Sequence, residues 1–248
     1  MAIDDAHPAP VSQRYLMTAS LVRSGMVGAV STAASLVGGL LLGIAAGNLV
    51  FNWLPGHSLT NPSPAAMAVA AVPALAGMFI GSALWGVLMG RLAQTNQWRR
   101  MALAGGLGFA PITIGLGIAL QILEPIALNA LGAWLPIQRL FTVLFVPAAF
   151  AIAGVSAWGL GLGLEKRPLA RHWPWKVGLA AALAFLAVNL IMETLGWVVG
   201  APRAAERFTM LTVMTLGNLG AALAGGAVMG VILTPQPASP GRPTLEQN

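Results

Sequence analysis

The sequence predicts an all-α polytopic membrane bundle of six transmembrane helices, laid out as three tandem helical hairpins in a parallel internal repeat. Three observations carry this. First, the chain is 57% hydrophobic and 8% charged, with a mean hydropathy of +0.78, whereas soluble domains carry charge on about a quarter of their residues. Second, six apolar runs are long enough to span a bilayer, for which about 20 residues suffice. Third, a basic residue opens the same kind of run three times: RSGMVGAV from Arg23, RMALAGGL from Arg100 and KVGLAAAL from Lys176, at steps of 77 and 76 residues.

Taken in order, residues 1–21 read as a polar tail without the short apolar core of a removable signal, so the first run is expected to be a permanent span. The runs cover approximately Val22–Trp53, Ala65–Arg91, Met101–Leu123, Leu140–Leu164, Val177–Gly200 and Phe208–Leu233. They pair into hairpins at about 22–92, 99–165 and 175–233 within one domain, 22–233, and the Pro-rich segment 234–248 is expected to be disordered. The segment between Glu124 and Arg139, interrupted by Pro125 and Pro136, reads as a helix lying on the outer membrane surface, with a re-entrant turn as the alternative.

Odd spans share the basic start, and even spans share a glycine pattern: WGVLMG from Trp85, WGLGLG from Trp158 and GGAVMG from Gly225. Copies two crossings apart point the same way, hence a parallel repeat. The pairs Gly86 and Gly90, Gly159 and Gly163, and Gly226 and Gly230 are four residues apart and share a helix face. Ser35, Gly39 and Gly43 extend this to the first span. Lipid is as apolar as leucine, so helices associate in it by close approach, and these faces are expected to be packing seams.

Lys and Arg set the expected orientation. Arg14, Arg23, Arg91, Arg99, Arg100, Lys166, Arg167, Arg171, Lys176 and Arg242 fall on one side, and Arg139, Arg203 and Arg207 on the other. This bias places both termini in the cytoplasm of a cell-membrane protein. Charge in short loops orients the chain in lipid, the expected partner; nucleic acid is not expected despite the net +6. A homo-oligomer or a larger membrane complex is compatible with the seams.

Polar groups inside a membrane are costly and therefore informative. Glu193 is the one acid well inside a run, with Asn189 one turn earlier on the same face. On the sixth span Thr209, Thr212, Thr215 and Asn218 form a stripe at spacing three. The candidate intramembrane site is therefore Glu193, Asn189, Asn218, Thr212 and Thr215. Asn189 is expected to meet Asn218, and Glu193 to meet Thr212, Thr215 or Arg207. Two readings stay open: a polar cavity in which Glu193 binds a cation or a proton, or a clamp fixing the fifth–sixth hairpin.

Exclusions are sharper. Asp occurs only at Asp4 and Asp5, and His only at His7, His57 and His172. Paired-aspartate catalysis, bis-His haem ligation and a His-activated serine inside the membrane are therefore not expected. Asn61-Pro62-Ser63 is a single copy and reads as a helix-start turn. With no cysteine and no Gly-rich phosphate loop, no metal, cofactor or ATP site is expected. The function expected is that of a permease, channel or transporter membrane component for a small solute. The alternative is a non-catalytic accessory subunit of a larger membrane complex.

Overall fold

The structure is a computed structural model that describes residues 11–53, 64–131, 134, 137–164, 173–199 and 206–234. Among these every element is helical: α1 (Val11–Thr32), a π-helical turn (Ala33–Val37), α2 (Gly38–Trp53), α3 (Pro64–Leu92), α4 (Trp98–Leu131), α5 (Ile137–Gly163), α6 (Trp173–Val199) and α7 (Glu206–Leu233). Six stretches are long and apolar enough to cross a membrane: Thr18–Trp53, Ala71–Leu92, Trp98–Ala130, Thr142–Gly163, Trp173–Thr194 and Thr215–Leu233. The chain is thus a multi-pass integral membrane protein by length and composition.

Two boundaries differ from the sequence reading. The first helix begins at Val11, inside the stretch read as a polar tail. The segment read as a surface helix instead prolongs α4, which runs unbroken past Pro111 and Pro125 to Leu131. Spanning helices tolerate proline where neighbouring groups re-satisfy the freed carbonyl, and Pro73 and Pro147 likewise lie inside α3 and α5. The C-terminal segment 235–248 and residues 1–10 lie outside the described residues.

The six spans form a closed ring in chain order. Each packs on the next, and α1 closes the ring against α7. Glycine makes the closest of these contacts possible. A Cβ on Gly28 of α1 would overlap the carbonyl oxygen of Gly226 and lie 2.7 Å from the Cα of Gly230 on α7. On Gly39 it would lie 2.6 Å from the Cα of Gly81, and on Gly86 3.0 Å from the Cα of Gly105. On Gly159 it would lie 3.1 Å from the Cα of Gly108. Gly90 packs on Met101, and Gly163 on Ala104. Each of the six predicted seam glycines therefore faces a neighbouring helix of the same chain.

The π-helical turn sits where the first span changes partner. Below it α1 packs on α7; above it α2 packs on α3. An extra residue in a π turn rotates the following face, so Gly28 and Thr32 meet α7 while Gly39 and Gly43 meet α3. At the far end of α3 a tight turn leads into α4. Thr95 N–H donates to Gly90 O and Gln94 N–H to Arg91 O, the bond pair of a Schellman cap, with Gln94 at φ 57.

Burial concentrates at the end of the ring that carries this turn. Trp85 and Met89 of α3, Met101 of α4, Leu160 of α5, Trp173 and Val177 of α6, and Met229 and Leu233 of α7 form one buried cluster there. Arg91, Arg99, Arg100 and Lys176 are exposed around it, and we call it the basic end. Arg100 donates to Leu162 O across the α4–α5 boundary, and Arg99 lies 5.3 Å from the Trp98 ring centre.

Candidate functional site

Above the buried cluster the ring encloses a cavity of about 220 Å³ to which all six spans contribute. Its floor is Trp85, Val177 and Met229, each at most 2% exposed, and Asn218 of α7 lines it eleven residues above Met229. At 1.5 Å per residue the cavity wall therefore extends about 16 Å along α7. Among the described residues the lining is apolar apart from Thr32, Thr113, Ser156, Asn218 and the indole N–H of Trp85, and it contains no charged side chain.

Trp85 organises the floor. Its Nε1–H donates to Thr32 Oγ1 at 3.0 Å, and its ring meets Phe109 at 6.4 Å between centres, tilted by 56°. One residue thereby joins α1, α3 and α4. Thr32 Oγ1 in turn donates to Gly28 O at 2.8 Å, so the residue that bridges the spans also satisfies its own helix. Ser82 donates to Phe79 O, Thr113 to Phe109 O and Ser156 to Ile152 O. A buried hydroxyl without a partner is expensive, and in these four the preceding turn supplies one.

The predicted polar constellation divides in two. Asn218 lies in the central cavity, exposed and with no hydrogen bond among the described residues. Asn189 is buried and donates to Phe185 O of its own helix at 2.7 Å. The expected Asn189–Asn218 contact is therefore replaced by packing. Gly217 lies against Asn189 Nδ2 and the Phe185 ring, where its Cβ would come within 3.1 Å and 2.8 Å respectively. Thr215 is exposed on α7. The side chain of Thr212 and that of Arg207 lie outside the described residues.

Of the partners expected for Glu193, only Thr215 has a described side chain, and no bond joins the two. Glu193 Oε1 accepts from Arg139 Nε at 3.0 Å, joining α6 to α5. Arg139 precedes the apolar stretch of α5 and Glu193 stands one residue before the apolar stretch of α6 ends, so the pair sits at the membrane rim opposite the basic end. A guanidinium brings a full positive charge to the carboxylate as well as an N–H donor, which a threonine hydroxyl does not. With the apolar stretch of α6 ending at Thr194, Arg139 and Glu193 fall at the same level of consecutive antiparallel spans.

Arg139 is 55% exposed and Glu193 21%, so the pair is solvent-screened. We expect Glu193→Gln to leave the fold intact, and a double-mutant cycle with Arg139→Gln to give a coupling of about 0.2–1 kcal/mol. A loss of folded protein on Glu193→Gln alone would show that the pair is a buried determinant instead.

Three or more His, Asp or Glu side chains do not gather anywhere among the described residues. Comparison of the chain with known protein families, with curated proteins and with solved structures finds no match.

Proposed function

We propose that the protein is a permease- or channel-type membrane component that carries a small solute through the centre of its six-span ring. The observation that carries this reading is the cavity lined by all six spans, sealed at the basic end by Trp85, Met89, Met101, Leu160 and Met229. A ring of helices serving only as a scaffold has no need of a central void, since dense packing is what stabilises helices in lipid. Transport runs past Asn218, while the Glu193–Arg139 pair fixes the rim.

The Lys and Arg bias supports a cell-membrane protein with the basic end in the cytoplasm, and therefore a cavity that faces outward. The tandem-hairpin plan is supported by the three basic starts, at steps of 77 and 76 residues. The seams follow it one turn out of register: Met101 O and Gly105 Cα meet Gly86, but Ser24 O and Gly28 Cα, 77 residues earlier, meet Gly230 rather than Gly226, which the motif aligns with Gly86. The middle copy departs from it, since Gly159 and Gly163 pack back on α4. The accessory-subunit reading rests on small-residue faces and on sparse internal chemistry; of these, the faces of the seam glycines are occupied within the chain.

The chain has no cysteine, so single thiols report cleanly. In oriented proteoliposomes, Asn218→Cys is expected to react with a membrane-impermeant maleimide added at the Arg139 end, and Met229→Cys to stay unreactive from both sides. Liposome swelling in a graded series of neutral solutes then tests passage. Rates equal to those of protein-free liposomes for every solute remove the transport reading.

A further inference from the structure

The donors and acceptors that line the cavity define what it can hold. Thr32, Thr113 and Ser156 each spend their hydroxyl proton on a carbonyl of their own helix, Gly28 O, Phe109 O and Ile152 O. The Trp85 N–H is spent on Thr32. What remains toward the cavity is the lone pairs of Thr113 and Ser156 together with the whole carboxamide of Asn218, which donates and accepts. No charged side chain among the described residues faces the lumen, and an ion entering it would lose its hydration with nothing there to replace it. The rest of the wall is aliphatic and aromatic.

Size adds a second constraint. A cavity of about 150 Å³ accommodates benzene, so one of about 220 Å³ takes a body of roughly nine non-hydrogen atoms. We propose that the central cavity is a binding site for a neutral, largely apolar small molecule bearing one hydroxyl or amide group, which Asn218 recognises from above while Trp85 and Phe109 bed its apolar part. The assignment rests on reading the cavity as the solute path, but binding and passage are separable.

The test uses matched aromatic probes on the full chain in lipid nanodiscs. The signal is bromine quenching of the fluorescence component that disappears in Trp85→Phe. Para-bromobenzyl alcohol is expected to quench that component saturably. Asn218→Leu is expected to weaken its binding about fivefold, the loss of one hydrogen bond. Para-bromotoluene, lacking the hydroxyl, should bind the wild type as weakly as the alcohol binds Asn218→Leu. Para-bromobenzoate and para-bromobenzylammonium should show no saturable quenching.

Equal affinity for alcohol and toluene, tighter binding of either ion, or an unchanged affinity in Asn218→Leu would overturn the assignment. Should Asn218→Leu fold poorly, Asn218→Asp replaces it, with the alcohol's affinity expected to fall as a charge enters the apolar site. Liposome flux of benzyl alcohol is measured alongside. Saturable, Asn218-dependent binding without flux upholds the site and removes the transport reading; flux without saturable binding does the reverse.

Discussion

Gly28→Val is expected to prevent closure of the ring and to lower the thermal midpoint by roughly 10 °C, a loss of about 3 kcal/mol. The new Cβ would overlap Gly226 O and stand 2.7 Å and 2.9 Å from the Cα and N of Gly230. Carbon atoms rest at about 3.5–4.0 Å, so α1 and α7 must part by about an ångström along the whole seam. The obstacles are backbone atoms, which have no rotamer to change. Lipid supplies no hydrophobic force to press the helices back together. Gly115→Ala is the control: a Cβ there meets nothing within 4 Å, and its effect should stay within about 0.5 kcal/mol. Thermal unfolding in nanodiscs reads both, and an unchanged midpoint for Gly28→Val would mean that the seam is not closed.

Trp85→Ala should be nearly as damaging and should also make the protein leak. Trp85 is 1% exposed and buried among residues of α4, α5, α6 and α7. Lipid replaces water as the alternative environment, so little is lost by transfer; the cost is the void, roughly 3 kcal/mol for an aromatic truncated to alanine. Trp85→Phe keeps most of the volume and forfeits the bond to Thr32, for about 1 kcal/mol. In proteoliposomes the folded fraction of Trp85→Ala should pass small neutral solutes faster than wild type, and Trp85→Phe should not. Wild-type permeability in folded Trp85→Ala would show that the seal lies elsewhere.

Span number, approximate limits and the use of glycine as seam were legible because they depend on composition and on four-residue spacing alone. What each seam faces was not. The WG motifs align Trp85 with Trp158, yet Trp85 is buried and Trp158 is 51% exposed. On α3 the buried positions include 81, 82, 85 and 86, and on α5 they include 156, 157, 160 and 161. Leu160 therefore stands where Trp85 does, two residues from Trp158, and two residues are about 200° around a helix. A motif aligned by residue type carries no such angle.

The π-helical turn was hidden for a related reason. Nothing in AASLV announces an extra residue; it is demanded by two partners, α7 and α3, that the first span must satisfy at different heights. Pro125 misled in the other direction, because a breaker in water is tolerated in a membrane. Glu193 was legible but its partner was not, since Arg139 is 54 residues away and a run taken to Gly200 sets Glu193 about two turns deeper than Arg139, whereas the apolar stretch ends at Thr194. Asn218 was named for a contact with Asn189 and proved to line the lumen instead.

Closure of α1 on α7 has a consequence for the order of assembly. During insertion each new span finds its predecessor already waiting, so five of the interfaces form between immediate neighbours. The sixth joins Gly28 to Gly226, and until α7 enters the bilayer the earlier spans are an open arc with a bare glycine face at its leading edge. The lumen does not exist at that stage. The last helix is a keystone: it converts a curved wall into a vessel in a single step, so a chain stalled before it has four of the six seams of the finished protein and none of its interior.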